Sequence, residues 1–369
     1  MSSFADYMKK KKIYIETYGC TANKADSESL AGLLKTSGFE FTDSPDSSDL
    51  IVINTCIVKT PTEQRMKRRI QDLSKLGKPV IVAGCMTKIS QRDIERLNPS
   101  ASMIGPDSIY NITSCVESAL KGKKNVFVKD ERRDKTKLPK VALKKGIGIV
   151  TISIGCLGNC SYCITKFARG KLKSYTIPGI VDQITRLISE GCKEIHLTSE
   201  DNGCYGLDIG TNLSELLKVV SEIEGEFLIK VGMMNPVHIK DDSTLSELVS
   251  VFKRPKIKKF IHIPVQSGSD RILKLMRRGY VVKDVENIVQ KFRNDIPDIY
   301  LSTDVIVGFP GETDDDFKMS ICMLKKLGFD NVNISRFGSR PGTDAEKMEQ
   351  IDERIIIERS KALHQITVS

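Results

Sequence analysis

Tryptophan is missing from the 369 residues, and nothing follows from that alone. Other absences exclude more. No segment approaches the roughly eighteen uninterrupted apolar residues of a membrane-crossing helix. The start, Met1 to Lys12, carries four lysines with no apolar stretch behind them, so a secretory leader is not expected and the chain reads as soluble and cytoplasmic. No short repeat recurs, which argues against a solenoid. The composition has none of the bias of a fibre, a coil or a disordered protein. The length allows one large core or two ordinary ones, so two domains are expected. Ten cysteines without a secretory signal, in a chain that long, favour metal ligation and buried thiols over a disulfide framework.

What is present is a cysteine run, Gly155-Cys156-Leu157-Gly158-Asn159-Cys160-Ser161-Tyr162-Cys163, behind the apolar stretch Ile147 to Ile154. Thiolates are soft ligands that hold iron–sulfur cubes, and Gly158 lets the backbone wrap closely between two of them. Three cysteines are one too few to cap every iron of a cube. One iron is then left open to bind and activate something else. Zinc prefers a closed set of ligands and suits the triplet less well.

The formal charge is +10, and one segment carries most of the excess. Between Lys121 and Lys145 eleven Lys or Arg stand against three acids, Asp130, Glu131 and Asp134. Such a stretch reads either as a solvated linker or as an attractor of phosphate backbone whose affinity falls with salt. The basic residues of Arg169-Gly170-Lys171-Leu172-Lys173 and of Lys253 to Lys259 tilt the balance towards a polyanion.

The first half alternates strand and helix. Lys12 to Tyr18 alternates as a strand, and Ala25 to Ser37 has helical spacing that ends at Gly38. Leu50 to Asn54 and Pro79 to Ala83 are apolar runs, with a basic helix expected over Thr62 to Leu76 between them. Short apolar strands separated by helices imply a parallel sheet covered on both faces. Cys20, Cys56 and Cys85 each follow one of these strands, at ends that a parallel sheet points the same way. That rim is where open α/β sheets hold ligands, so the three are expected to meet at one centre. Any one of them alone reads as a buried structural thiol.

The second half starts at Ile147 to Ile154. Further strands are expected at Glu194 to Thr198, Phe227 to Val231, Phe260 to Val265, Tyr300 to Val307 and Val332 to Arg336. Helices fall near Ile180 to Glu190, Leu213 to Ile223, Thr244 to Phe252, Val282 to Phe292 and Asp314 to Leu327. Six β/α units make an open or partial barrel whose site lies at the strand C-termini, where the cysteine loop falls. The fold class is thus α/β: a parallel-sheet domain over 1–122, a basic linker over 123–146, and a partial (β/α)6 barrel over 147–369.

Cys156, Cys160 and Cys163 after a first barrel strand resemble the signature of radical S-adenosylmethionine enzymes. With Tyr18-Gly19-Cys20, Asn54-Thr55-Cys56 and Ala83-Gly84-Cys85-Met86 ahead of them, the chain resembles the methylthiotransferases. The resemblance continues through Thr198 to Gly203, Ile263 to Ser269, Asp304 to Glu312 and Phe337 to Thr343, and so covers nearly the whole length. Cys156 to Gly170 is most similar to the archaeal and eukaryotic branch acting on N6-threonylcarbamoyladenosine beside the tRNA anticodon. This resemblance implies two 4Fe-4S clusters, one on Cys156, Cys160 and Cys163 and one on Cys20, Cys56 and Cys85. The first would chelate S-adenosylmethionine and, once reduced, yield a 5′-deoxyadenosyl radical that takes hydrogen from C2 of the adenine. The second would present the inserted sulfur, methylated by a second S-adenosylmethionine, to give the 2-methylthio derivative. Implied partners are the tRNA anticodon stem-loop, a reducing electron donor and a sulfur donor, with no membrane. The family's usual C-terminal TRAM module, a small RNA-binding β-barrel, is not expected, since the chain stops at Ser369 within the helix that leads into it.

Further candidates are weaker in pattern. Glu200 and Asp201 follow the second barrel strand and either meet the amino group of S-adenosylmethionine or cap a helix. Gln266, Ser267 and Ser269 follow the fourth strand and either meet ribose hydroxyls or form a turn of small residues. Val305, Val307 and Gly308 end the fifth, where backbone approaches the adenine or Gly308 serves close packing. Cys115, Cys192, Cys204 and Cys322 lack ligand spacing and read as structural. His196 and His262 read as satisfied core groups, and Asp314 to Asp316 as acids suited to a helix start. Two alternatives stand: a methylthiotransferase for a ribosomal-protein aspartate, and a non-catalytic RNA-binding module with zinc on its cysteines.

Overall fold

The computed structural model describes residues 11–368, so most of the lysine-bearing start, Met1 to Lys12, lies outside the described residues. Two compact units divide the chain. The first runs through Thr151 and takes in Thr165–Gly170, and the second comprises Ile152–Ile164 and continues from Lys171.

The first unit is built on six strands, β1 (Lys12–Thr17), β2 (Glu40–Phe41), β3 (Leu50–Thr55), β4 (Val80–Gly84), β5 (Ser102–Ile104) and β6 (Val126–Phe127), in the order β2-β1-β3-β4-β5-β6. Every neighbouring pair is parallel, with Ile15 opposite Val52 and Val52 opposite Ile81. Leu50, Val52, Ile81 and Ala83 pack on Leu30, Leu34 and Val116 of two covering helices, Thr21–Thr36 and Ile112–Leu120. The alternate residues Ile51, Ile53 and Val82 are equally buried and point the other way, towards helix Thr60–Ser74 with its Met66 and Ile70. Helix Thr21–Thr36 begins a turn earlier than its apolar spacing predicts. Its first turns bury the polar side chains Asn23, Asp26 and Ser27, which hide the period.

The basic stretch expected as a linker folds with the first unit. Lys135 bonds Asp26 at 2.6 Å, Lys140 bonds Glu28 at 3.3 Å, and the Val141 amide donates to Glu28 O at 2.9 Å. A Cβ on Gly32 would lie 2.1 Å from Pro139 O, so glycine is needed where this stretch crosses the helix. Eight of the eleven basic residues remain exposed, but Arg132, Lys135 and Lys140 turn inward.

In the second unit, strand and helix alternate. β10 (Glu194–Thr198) pairs parallel with β11 (Leu228–Val231), and β12 (Phe260–His262), β13 (Tyr300–Val307) and β14 (Asn331–Arg336) form a second parallel set. Met234 N donates to His262 O at 2.9 Å and joins the two sets. The continuous strand expected over Ile147 to Ile154 is broken into β7 (Ile147–Thr151), which belongs to the first unit, and β8 (Ser153–Ile154), which starts the second and runs antiparallel to β9 (Lys173–Ser174). β12 stops at His262 rather than Val265, because Pro264 has no amide to continue a ladder. The helices Ile177–Ser189, Leu213–Ser221, Asp242–Phe252, Val282–Asp295 and Asp314–Leu327 form where the spacing predicts, and Asp270–Leu275 and Glu353–Val368 add to them. His196 and His262 are not core groups. Each is partly exposed and bonded to a carboxylate, Glu194 at 2.6 Å and Asp304 at 2.9 Å. No helix among the described residues is long and apolar enough to cross a membrane.

Candidate metal centres

In the first unit, Cys20 starts helix Thr21–Thr36, Cys56 follows β3 and Cys85 follows β4. The turns that carry them are locked together. Gly19 takes φ 98°, and a Cβ there would lie 2.5 Å from Cys56 Cβ, so the first cysteine turn presses directly on the second. Gly84, at φ 90°, would put a Cβ 2.3 Å from Asn54 Oδ1. Asn23 Nδ2 donates to Tyr18 O at 3.0 Å and Thr55 O at 2.7 Å, which fastens the helix start to both strand ends. Burial pushes the Cys85 thiol up to about 12, Arg169 opposes it, and the nearby Cys20 and Cys56 add to it. Arg169 reaches the centre from Thr165–Gly170, donating to Asp26 Oδ2 at 2.7 Å, Asn23 Oδ1 at 2.8 Å and Cys85 Sγ at 3.3 Å. Burial raises the Asp26 carboxyl, but Lys135 and Arg169 outweigh it and hold it below the usual range. Arg169 thus sets a buried cation on a sulfur of the three thiols. An iron–sulfur cube on three thiolates is an anion, so donors and charge both fit one.

The second centre is the loop between β8 and Ile164. Gly155 takes φ 74° and donates its amide to Glu200 Oε2 at 2.8 Å. The Gly158 amide donates to Cys156 Sγ at 3.1 Å, and a Cβ on Gly158 would meet Cys156 Sγ at 3.2 Å and Cys160 Sγ at 3.8 Å. The glycine leaves room between two sulfurs. Arg278, 6 % exposed, donates to Cys160 Sγ at 3.3 Å, Asn235 Oδ1 at 3.1 Å and Pro264 O at 2.9 Å. A buried guanidinium on a cysteine sulfur again suits an anionic group on these thiolates. The loop is pinned from the far side too, by Ser161 N to Met276 O at 3.1 Å and Ala345 N to Ser161 O at 2.9 Å.

One residue here escaped the sequence reading. Cys204, expected to be structural, lies beside Cys156: the ligand atoms of Cys156, Asp201 and Cys204 are within 4.8 Å of one another, and Cys204 Sγ donates to Asp201 O at 3.2 Å. The neighbouring Cys204 thiol and the Gly158 amide hold the Cys156 thiol below its usual range despite burial, while Cys156 and burial raise Cys204. No spacing pattern announces it, since Cys204 lies on the turn Asn202–Cys204 after β10.

Comparison with known proteins follows this geometry. Residues 12–105 match the uncharacterized protein family UPF0004, and residues 150–324 match the radical SAM superfamily. The chain is 46% identical over 359 residues, 96% of its length and 83% of the other, to a probable threonylcarbamoyladenosine tRNA methylthiotransferase of Pyrococcus abyssi. It is 38% identical over 365 residues to the threonylcarbamoyladenosine tRNA methylthiotransferase of Homo sapiens, covering 96% of this chain and 62% of that one. The chain belongs to the threonylcarbamoyladenosine tRNA methylthiotransferase family. Membership of the radical SAM superfamily implies a 4Fe-4S cluster and S-adenosylmethionine. Among solved structures, the radical S-adenosylmethionine methyltransferase TsrM of Kitasatospora setae matches with TM-score 0.65 at 16% identity, covering 91% of this chain and 75% of that one. The cobalamin-dependent radical enzyme OxsB matches with TM-score 0.62 at 12% identity, over 98% of this chain and 57% of that one. Both share the α/β partial-barrel fold.

For a member of this family, the other expected site residues are placed unevenly. Asp201 is 1 % exposed. Its Oδ1 accepts from the Gly203 and Asn235 amides, both at 3.0 Å, while Oδ2 has no hydrogen bond and lies 3.5 Å from His238 Nε2. Burial raises its carboxyl, with His238 opposing. Gln266 holds φ 77°, a strained value for a side chain of its size, and bridges to Val305. The Ser267 hydroxyl meets Ser320 Oγ at 3.5 Å and accepts from the Ser269 amide at 3.2 Å, and the Ser269 hydroxyl donates to Asp316 at 2.6 Å. Val305 and Val307 are buried, and a Cβ on Gly308 would lie 2.4 Å from Ile356. Asp316 caps its helix through Thr313 and pairs with Arg271. Cys115 and Cys192 are buried, and Cys322 is exposed.

Proposed function

We propose that this chain is a radical S-adenosylmethionine tRNA methylthiotransferase that converts N6-threonylcarbamoyladenosine beside the anticodon to its 2-methylthio derivative. The observation that carries the reading is a pair of three-cysteine centres, each with a buried arginine on one sulfur, in a chain matched over 96% of its length by relatives of that name. Cys156, Cys160 and Cys163 would hold one 4Fe-4S cluster, and Cys20, Cys56 and Cys85 a second. When bound, these groups supply one-electron reductive cleavage of S-adenosylmethionine, for removal of the adenine C2 hydrogen, and a transferable sulfur.

The residues divide the remaining work. Gly155 and Gly158 shape the loop, Glu200 fixes its entry, and Arg278 neutralises charge at Cys160. The unbonded Asp201 Oδ2 is available to an ammonium group such as that of S-adenosylmethionine, with Glu200 beside it in sequence. Gln266 offers a side chain after β12, whereas Ser267, Ser269, Val305, Val307 and Gly308 would contribute backbone and shape. The exposed lysines between Lys121 and Lys145 suit the anticodon stem-loop. An electron donor, a sulfur donor and a cytoplasmic location belong to the same reading.

The test is anaerobic reconstitution, followed by reaction with S-adenosylmethionine and a threonylcarbamoylated anticodon stem-loop, read by nucleoside mass spectrometry. Appearance of the 2-methylthio nucleoside is expected. Its absence, with methylthiolation of a ribosomal-protein aspartate or stoichiometric zinc without labile sulfide, would replace the reading.

A further inference from the structure

Among the basic residues that the sequence offers to a polyanion, Arg169 is misplaced on that reading. It is 2 % exposed. It lies six residues after Cys163 in the chain, yet Thr165–Gly170 folds with the first unit. Its guanidinium there meets three buried residues, Asp26, Asn23 and Cys85. Asp26 and Asn23 both lie on helix Thr21–Thr36, whose first residue follows Cys20. Asn23 in turn grips the strand ends that carry Cys20 and Cys56. One guanidinium therefore touches Cys85 directly and, through Asn23, the turns of the other two cysteines.

A guanidinium has more donors than a carboxylate can use, and its planar fork fixes where the spare donors point. Asp26 takes Nη1, Asn23 takes Nη2, and Nε is left for the Cys85 sulfur at 3.3 Å. Asp26 is shared with Lys135, so its single negative charge is divided between two buried cations. A buried guanidinium bonded to a cysteine sulfur suits an anion at that sulfur. The three thiols are where that anion would be.

We propose that Arg169 is a positioning residue for the cluster of the first unit, whose Nε–H bond to the Cys85 sulfur and whose charge hold that cluster and set its reduction potential. The proposal rests on the reading that Cys20, Cys56 and Cys85 carry a cluster. Hydrogen bonds and positive charge at a thiolate ligand favour the reduced, more negative state, so removing them lowers the potential.

The experiment uses the full chain with Cys156, Cys160 and Cys163 changed to alanine, so that iron, sulfide and electron paramagnetic resonance report on the first unit alone. If that background holds no iron–sulfur cluster with Arg169 intact, the ligand reading itself fails, and it fails before any arginine variant is made. With the cluster present, Arg169→Lys and Arg169→Gln are compared with the parent by potentiometric titration and by thermal melting of the apoprotein. Arg169→Lys keeps the charge on Asp26 but cannot span Asp26, Asn23 and Cys85. A loaded cluster whose reduced-to-oxidised ratio at fixed poise falls at least tenfold, about 59 mV for one electron, supports the proposal. So does loss of cluster with an unchanged apoprotein melt. A loaded cluster of unchanged potential overturns it. Loss of cluster together with collapse of the apoprotein melt in Arg169→Lys also overturns it, since the arginine is then only structural.

Discussion

The two three-cysteine centres are built in opposite ways. Cys156, Cys160 and Cys163 come from one loop closed by its own glycines, with Gly155 anchored to Glu200 and the Gly158 amide on Cys156 Sγ. Cys20, Cys56 and Cys85 come from three strand ends, and meet only when β1, β3 and β4 are paired and helix Thr21–Thr36 is seated. The difference teaches where folding and ligand assembly are coupled. A local loop pays little closure entropy and can order itself around a cluster. A distributed set exists only in the folded sheet, so binding free energy there adds to the stability of the whole first unit.

The sharpest way to break the comparison is to remove each set separately. Changing Cys156, Cys160 and Cys163 to alanine is expected to abolish the methylthio product and to remove half of the bound iron. Changing Cys20, Cys56 and Cys85 should do the same to both readouts. A variant of either kind with the full iron content of the parent would show that its cysteines are not ligands. Chelation of the intact protein should lower the melting of the first unit more than that of the second, followed by hydrogen exchange in β3 and in β13.

Next in size is Asp26→Asn. It leaves Lys135 and Arg169 buried without their carboxylate and is expected to cost the apoprotein about 3–5 kcal/mol. The sign with pH follows from the lowered carboxyl of Asp26. A group depressed on folding stabilises above its unfolded pKa, and that contribution is lost as pH falls through the folded value. Parent apoprotein should therefore lose stability below roughly pH 4, while Asp26→Asn shows a flatter dependence in that window. An equally steep loss in the variant would place the acid sensitivity elsewhere. Gly19→Ala should cost about 1–3 kcal/mol, from its positive φ and its contact with Cys56, measured by denaturant unfolding.

The same contrast explains what could be read from the sequence. The expectation of a loop centre comes from three cysteines within eight residues, and that of a sheet centre from cysteines that each follow an apolar run, which the structure forms as β1, β3 and β4. Period failed where polar residues are buried. Helix Thr21–Thr36 starts at Cys20 rather than near Ala25 because Asn23, Asp26 and Ser27 face inward for their hydrogen bonds, not for burial of apolar area. Arg169 and Lys135 looked like surface charge for the same reason: a charge run gives no sign of which members meet a buried carboxylate. Four short strands, Glu40–Phe41, Ser102–Ile104, Val126–Phe127 and Lys173–Ser174, were missed because a two- or three-residue pairing leaves no periodic trace.

The smallest expected effect concerns Cys204, and it tests the boundary of the loop centre. The Cys156 and Cys204 sulfurs lie within 4.8 Å of each other, and Cys204 is fully buried and donates to Asp201 O at 3.2 Å. If the loop cluster takes only Cys156, Cys160 and Cys163, Cys204→Ala should keep the parent's iron, sulfide and product yield, at a cavity cost of about 1 kcal/mol in stability. A fall in iron by half would make Cys204 a ligand. In apoprotein oxidised by dioxygen, the neighbouring thiols should join as a Cys156–Cys204 disulfide, seen as a cross-linked peptide that Cys204→Ala lacks. The first unit has no such spare thiol close by, since Cys115 lies in the core among Val116 and Ala119. Oxidation there should instead link members of Cys20, Cys56 and Cys85 to one another. Two peptide maps from one oxidised sample thus compare a centre with a fourth thiol beside it and a centre without one.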